Sequence, residues 1–365
     1  MRCEIMTSTI ESIDHPYIYD IIIIGGGPAG LAAAIEARKQ GVPRILILER
    51  DSLLGGILNQ CIHPGFGTII FKEDLTGPEY AYRYIKQIRD MKIEYRVQHM
   101  VVQLISANTS DHRVEDKQSD DIKSINPSNH EKLLHKVIIM STQAGLQTLY
   151  TKSIILAMGA RERSRGAIHI PGYRPAGVMT AGTAQRIINM EGQHIGREIV
   201  ILGSGDIGLI MARRLTLEGA HVKLVAEIQP QASGLARNVQ QCLHDYHIPL
   251  HVSTTVTYIH GKKRVEAVTI MKVDESLQVI EGSEEYIPCD TLLTSVGLIP
   301  ENELSRGLGL VIDEHGNAPV VDASLQASIP GIFVCGNVLE IHDLVDYVTE
   351  QAIQAGREAA RYVRY

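Results

Sequence analysis

The 365-residue sequence predicts an α/β fold built on two copies of one unit: a strand, a glycine-rich turn, a helix, and a second strand that ends on an acid. Three observations predict it. First, Ile21-Ile22-Ile23-Ile24 is a continuous apolar run. Such a run reads as a strand buried on both faces, as in a parallel sheet. Second, Gly25-Gly26-Gly27-Pro28-Ala29-Gly30 follows at once, with a helical pattern over residues 31–39 closed by Gly41. Residues 45–48 then form a second apolar run ending at Glu49. Third, the pattern returns at 198–202, Gly203-Ser204-Gly205-Asp206-Ile207-Gly208, a helix to about Leu217 closed by Gly219, and 222–225 leading into Glu227. From Gly25 to Glu49 and from Gly203 to Glu227 the separation is the same, 24 residues. This is a repeat of a fold unit, not of a solenoid.

The remaining elements follow from pattern. Residues 93–106 and 136–152 have strand character and flank a polar stretch, 108–132, read as an elongated hairpin or mobile loop. After the second unit, residues 250–258, 264–273 and 277–286 read as successive short strands. A strand at 331–334 and a helix at 345–363 end the chain.

Composition narrows the function. The length exceeds one typical domain of roughly 100–200 residues, so two domains are expected. The hydrophobic fraction of 44% is ample for a buried core. Net charge is −7 with no basic block, which argues against nucleic acid as the main partner. The cysteines Cys3, Cys61, Cys242, Cys289 and Cys335 are dispersed, and no pair has C-x-x-C spacing. A zinc ribbon or a four-cysteine iron–sulfur site is therefore not expected, and the histidines show no metal-ligand spacing. Dispersed thiols, no apolar signal segment within residues 1–20 and no run long enough to span a bilayer point to a cytoplasmic location.

The glycine turns carry the chemistry. Gly25 permits the tight turn out of the strand. Gly27 has no Cβ, so the backbone can approach a pyrophosphate, and Gly30 lets helix and strand pack closely. The helix start offers free N–H groups and a positive dipole end to a diphosphate. Glu49 is placed to accept ribose hydroxyls, as a charged acceptor worth about 1.5–3 kcal/mol. One such turn alone is weak; in this strand–helix context, with the acid at the right distance, it predicts a dinucleotide site. In the second unit, Glu227 would face a 2′-phosphate with like charge, and Ile228 and Gln229 supply no arginine to hold one. NAD is therefore expected over NADP, against the alternatives of another adenine nucleotide or a domain kept only for packing.

Two such units, the segment Ile155-Leu156-Ala157-Met158-Gly159-Ala160 and the late segment Gly331-Ile332-Phe333-Val334-Cys335-Gly336-Asn337 resemble the two-dinucleotide-binding-domain flavoproteins. This pyridine nucleotide-disulfide oxidoreductase-like family includes thioredoxin and glutathione reductases. Met158 stands where the family usually has Thr, and Asn337 where it usually has Asp; an amide still accepts from a ribityl hydroxyl, without charge assistance. The resemblance implies two Rossmann-like, three-layer ββα domains, with an NAD(P) domain (164–296) inserted in a discontinuous FAD domain (17–163 and 297–365). It implies that Gly25, Gly27, Pro28, Ala29, Gly30, Glu49, Arg50, Gly56, Gln60, Ala157, Gly159, Arg161, Gly336, Asn337, Val348 and Thr349 bind FAD. Gly203, Gly205, Asp206, Ile207, Gly208 and Glu227 would bind NAD. The last helix would point its N-terminus at the flavin and stabilise the reduced form's charge. Arg161 and Arg163 either contact cofactor phosphates or sit at the crossover.

The open question is the second electron partner. The glutathione-reductase type carries C-x₄-C shortly after the first acid; here that region, residues 55–64, holds only Cys61. The thioredoxin-reductase type carries C-x-x-C before the second glycine turn; here residues 177–195 contain no cysteine. Cys61 could act alone, with His63 lowering its pKa if the fold joins them; the bland alternative is a packing cysteine and a merely polar histidine. Asp343 and Asp346 read as N-caps of the last helix, or as acid/base groups at the flavin, and His342 is a further flavin-region candidate.

Residues 55–67 with 72–80, and residues 337–346, resemble something narrower: small flavoprotein subunits associated with glycerol-3-phosphate dehydrogenase-like proteins. More distant likenesses are alpha subunits of opine oxidase, cyanide synthase and dye-linked proline dehydrogenase. That resemblance implies an FAD-dependent oxidoreductase relaying electrons between NAD(H) and a larger flavoprotein dehydrogenase subunit, with a homodimer possible. The alternatives are a stand-alone single-cysteine NADH oxidase or reductase, and a partner subunit whose FAD is structural.

Overall fold

The computed structural model of the protein describes residues 17–107, 134–315 and 317–364. Its first sheet is built around Ile18–Ile24, which is flanked in parallel by Ile45–Leu48 and by the long strand Gly145–Leu156. Ile24 lies level with both Leu48 and Leu156, so three strands end together at one edge. Glu94–Arg96 extends this sheet beyond Ile45–Leu48. On the other side, His135–Ser141 and Met100–Ile105 add antiparallel. Ile332–Val334 returns late in the chain and pairs in parallel with the second half of Gly145–Leu156.

Helix Pro28–Lys39 starts with proline at its first turn, where the missing N–H costs nothing. Its buried alanines pack against the buried Ala352, Ala355 and Ala359 of the final helix, Val345–Arg364. Contact there is backbone-close: a Cβ on Gly356 would lie 2.3 Å from the Ala33 carbonyl oxygen. The C-terminal helix is thereby seated on the first glycine unit, over 300 residues away in sequence.

A second sheet repeats the plan with five parallel strands in the order Val178–Thr180, Thr291–Thr294, Glu198–Leu202, His221–Ala226, Leu250–His251. Helix Asp206–Leu217 lies on it, and an antiparallel sheet of Thr254–His260, Ala267–Lys272 and Glu285–Pro288 completes this half. The chain crosses between halves along the antiparallel pair Ala160–Glu162 and Leu298–Pro300.

Some expected elements divide. Residues 93–106 form two strands on opposite edges of the first sheet, because Gln98 turns the chain at φ 57°. Residues 136–152 form a hairpin turning at Gly145, φ 65°. Most of 277–286 is turn, not strand: the Asp274 carboxylate accepts from Ser276 N and Gln278 N, the local competition that breaks extended structure. The stretch 108–132 lies outside the described residues. Among the described residues, no helix is long and apolar enough to cross a membrane.

Candidate cofactor and redox site

The two glycine turns have the geometry their sequences imply, and the reasons for each glycine separate. At the first turn, Gly25 has φ 108°, and a Cβ there would stand 2.3 Å from the Ala157 carbonyl oxygen. A Cβ on Gly30 would stand 1.9 Å from the Gly25 carbonyl oxygen. At the second turn, Gly203 has φ 100° and a Cβ there would stand 2.0 Å from the Ser295 carbonyl oxygen, while one on Gly208 would stand 2.6 Å from that of Gly203. The protein itself therefore demands these outer glycines.

The middle glycines differ. Gly27 has φ −78° and Gly205 has φ −63°, values open to any residue. A Cβ on Gly27 would meet nothing nearer than the Gly56 Cα at 3.9 Å, and one on Gly205 nothing nearer than the Ser295 Oγ at 4.0 Å. Neither backbone strain nor packing requires glycine here. Both positions are the N-cap of a long helix, where a side chain would fill the space in front of free N–H groups. A diphosphate lying against the backbone explains glycine at both, so the residues present fit a dinucleotide in each unit.

The acids stand where the spacing puts them. Glu49 is buried; its Oε2 accepts from Gly26 N at 2.8 Å and its Oε1 from Asp51 N at 2.8 Å. Glu227 is also buried, and its Oε2 accepts from Ser204 N at 2.9 Å, Ser204 Oγ at 2.5 Å and Ser233 Oγ at 3.2 Å. Its Oε1 accepts from Gln229 N at 3.0 Å. Asp206, in the first turn of its helix, accepts from Leu235 N and Asn238 Nδ2 and so ties down the following loop. Ile207 packs against the core of its half.

The late segment closes on the first turn. A Cβ on Gly336 (φ 76°) would meet Ala29 Cβ at 2.8 Å and Val348 at 3.4 Å, which brings Gly336 and Val348 beside the start of helix Pro28–Lys39. The Asn337 Oδ1 accepts from His342 N at 3.2 Å, leaving a second lone pair free. The His342 Nε2 is buried without a partner among the described residues. Thr349, fully buried, shares a 2.8 Å hydrogen bond with the Tyr80 hydroxyl. Gly159 has φ 73° and open space around it. Pro28 and Ala29 open the helix, and Gly56 packs its backbone against Gly27.

Other expected contacts resolve differently. Arg161 pairs with Glu301 at 2.5 Å and Glu303 at 2.8 Å on the crossover strands, which favours the crossover role over phosphate binding. Arg163 donates its backbone N–H to Gly297 there, and Arg50 is exposed. The Asp346 carboxylate does not cap its helix: it reaches back to Gly67 N at 3.2 Å and Ile70 N at 2.8 Å. Asp343 is exposed.

Between the halves, the short 3₁₀ turn Gly56–Gln60 meets helix Ala181–Glu191. The buried Gln60 amide donates to the Gly182 carbonyl at 2.8 Å and to Gln185 Oε1 at 3.0 Å. Asn189 Nδ2 donates to the Gln60 carbonyl at 2.8 Å, and Arg186 pairs with Asp51 at 2.6 Å. In this arrangement the Gln60 side chain holds the two halves together.

Cys61 lies beside this contact. Its thiol donates to the Ile57 carbonyl at 3.3 Å, and Gln185 Oε1 is 3.8 Å away. Burial pushes its pKa up to about 12. The thiol form is therefore favoured over the thiolate at pH 7. His63 turns elsewhere: its Nδ1 is 2.9 Å from the Pro64 carbonyl, and its ring packs 5.1 Å from Phe66. Burial, aided by Arg237 and opposed by the Pro64 carbonyl and Asp206, lowers the His63 pKa. Among the described residues, no hydrogen bond joins His63 to Cys61, and the activation considered from sequence is not realised here. In the stretch 177–195, helix Ala181–Glu191 is capped by Thr180, whose Oγ1 lies 2.9 Å from that of Thr183.

Comparison with known proteins agrees with this geometry. The family model described as pyridine nucleotide-disulphide oxidoreductase matches residues 19–359. The chain is 27% identical over 343 residues to a thioredoxin reductase of Mycolicibacterium smegmatis, covering 93% of this chain and 92% of that protein. It is 23% identical to an opine oxidase subunit of Agrobacterium tumefaciens, covering 87% of this chain and 61% of that one. Its fold is similar to the crystal structure of Lactococcus lactis thioredoxin reductase, with TM-score 0.71, 24% identity, and 95% and 99% of the two chains covered. The chain belongs to the pyridine nucleotide-disulphide oxidoreductase family and is an FAD-dependent NAD(P)H oxidoreductase.

Proposed function

We propose that this protein passes hydride between NAD(H) and FAD and exchanges the electrons with a second protein, not with a dithiol of its own. The observation that carries the reading is the redox site itself. Among the described residues Cys61, Cys242, Cys289 and Cys335 are all free, the Cys61 thiol donates to the Ile57 carbonyl, and no hydrogen bond joins it to His63. FAD would lie along the turn at Gly25, Gly27 and Gly30, with Glu49 toward a ribose and Gly336 and Asn337 toward the ribityl chain. When bound, it supplies the hydride-accepting ring. The protein orients the two cofactors, and the bonds from Gln60 to Gly182 and Gln185 fix one half against the other.

The second turn is read as an NAD site. Glu227 places a buried carboxylate where a 2′-phosphate would meet like charge, and residues 228 and 229 are Ile and Gln. The partner is read as a larger flavoprotein dehydrogenase, of the glycerol-3-phosphate dehydrogenase-like kind. Two things support it: the resemblance of residues 55–67, 72–80 and 337–346 to such small subunits, and a relative that is itself one subunit of an oxidase. The first and last of these segments also meet in space, where Gly67 N donates to Asp346.

Two measurements test this. Anaerobic flavin reduction by NADH should exceed that by NADPH in kcat/KM by at least about tenfold, some 1.4 kcal/mol; equal rates or a preference for NADPH would reject the NAD assignment. Affinity purification from the native cell should recover a larger flavoprotein that oxidises its own substrate and reduces this one. Recovery of the chain alone, with full turnover on a small disulfide, would reject the reading of a two-protein complex.

A further inference from the structure

A cleft of about 330 Å³ opens between the two halves, and none of its lining residues belongs to either glycine turn. Its apolar lining includes Ile210 and Leu217 of helix Asp206–Leu217 and Ile62 from the other half. Guanidinium groups line it as well. Arg237, on helix Ala236–Cys242, reaches across to the opposite half: a Cβ on Gly65 would lie 2.9 Å from its Nη2. Gly65 sits at φ 123°, so the hairpin strand Pro64–Phe66 presents bare backbone at that point. Arg237 has no ion pair or hydrogen bond among the described residues.

Arg213 lines the same cleft, its Nε on the Tyr246 hydroxyl at 3.3 Å and its guanidinium over that ring at 5.8 Å. Its terminal nitrogens carry no carboxylate. Arg214 is paired with Glu218 at 2.7 Å, Asp245 accepts from Gln240, and the exposed Asp74 also lines the cleft. Arg213 and Arg237 are thus the two lining guanidinium groups with no carboxylate hydrogen-bonded to them among the described residues. Arginine forks match planar or tetrahedral oxyanions by paired hydrogen bonds.

We propose that this cleft binds a small amphipathic anion, a carboxylate or phosphate ester with a compact apolar body. The head group would lie between Arg213 and Arg237 and the body on Ile210 and Leu217. The volume is at the lower end of small-molecule sites, which run from about 300 to 1,000 Å³. That size excludes a folded partner and admits a ring or short chain. Because Arg237 and Arg213 share one half and Ile62 and Gly65 the other, an occupant would touch both. This site is independent of the electron route proposed above.

Phenyl phosphate is a suitable probe. Calorimetric titration into the FAD-loaded protein, with NAD⁺ saturating so that the second turn is filled, should show one saturable site. Arg237→Ala and Arg213→Ala should each weaken it at least tenfold, with flavin reduction by NADH unchanged. Inorganic phosphate should bind at least tenfold more weakly, since it lacks the apolar body. Absence of saturable binding to the unaltered protein would overturn the proposal. So would binding that both substitutions leave intact, or inorganic phosphate binding as tightly as the ester.

Discussion

Glu49 and Glu227 close the same turn in the two halves, and they are not equally free. A carboxylate offers about four lone-pair sites. Glu49 uses one on each oxygen, both for backbone N–H groups. Glu227 accepts three hydrogen bonds on Oε2, two of them from serine hydroxyls, and one on Oε1. The difference begins one residue after the first glycine. Gly26 has no side chain, and a Cβ there would strike Leu54 at 2.6 Å; Ser204, fully buried, sends its hydroxyl into the acid. The first turn keeps acceptor capacity for a ligand's hydroxyls. The second spends most of it inside the protein, so Glu227 acts toward a ligand chiefly through its charge and through the loop it anchors.

The largest effect should come from filling the two middle positions. Gly27→Ala should lower FAD affinity by about 100-fold or more, some 2.7 kcal/mol, with the apoprotein melting as before. Gly205→Ala should do the same to NAD(H) while leaving FAD bound. Gly25→Ala is the contrast: its Cβ meets the Ala157 carbonyl oxygen, so thermal melting itself should fall. Should Gly27→Ala keep full FAD affinity in a binding titration, the space before that helix is not the diphosphate site.

Removing the acids sharpens the asymmetry. Glu49→Ala should weaken FAD by roughly 10- to 150-fold, the range of about 1.5–3 kcal/mol for bonds to a charged acceptor. Glu227→Ala leaves the buried Ser204 hydroxyl without its acceptor, so its main effect should be on stability, about 1–3 kcal/mol in denaturant unfolding. The reverse pattern, with stability lost at Glu49 and ligand lost at Glu227, would contradict the comparison.

The smallest effect belongs to Cys61. Cys61→Ser should leave NADH-dependent flavin reduction within about twofold. Burial raises the thiol pKa, so the reactive thiolate is scarce throughout the neutral range and appears only as pH rises toward 12. Iodoacetamide labelling followed by mass spectrometry should therefore be slow at pH 7 and accelerate only in strong alkali. Rapid labelling at pH 7 would restore the single-cysteine reading.

What could be read from sequence was local. Glycine spacing, the apolar runs before each turn and the acid 24 residues on are all set within one supersecondary unit, and each appears in the fold as expected. The side-chain partners that the sequence did not foretell share a cause. Asp346 beside a helix start looks like a cap, but its partners lie 276 and 279 residues away. Gln60 sits in a segment that resembles a flavin-binding one, yet its amide is taken by Gln185, 125 residues on. Arg161 follows a cofactor-type segment and meets Glu301 across the crossover. Such pairings join segments far apart in the chain, which no local pattern encodes. The spare hydroxyl of Ser204 was visible in the sequence, but its direction was not.

The central claim of the proposed function is that the flavin, and no thiol among the described residues, stores the two electrons. Anaerobic titration of the FAD-loaded protein with NADH measures this most directly. One hydride equivalent per flavin should complete the bleaching of the visible band, with no thiolate–flavin charge-transfer band at any point. Uptake of a second equivalent, or a long-wavelength band that vanishes in Cys61→Ser, would place a thiol in the electron path and contradict the account.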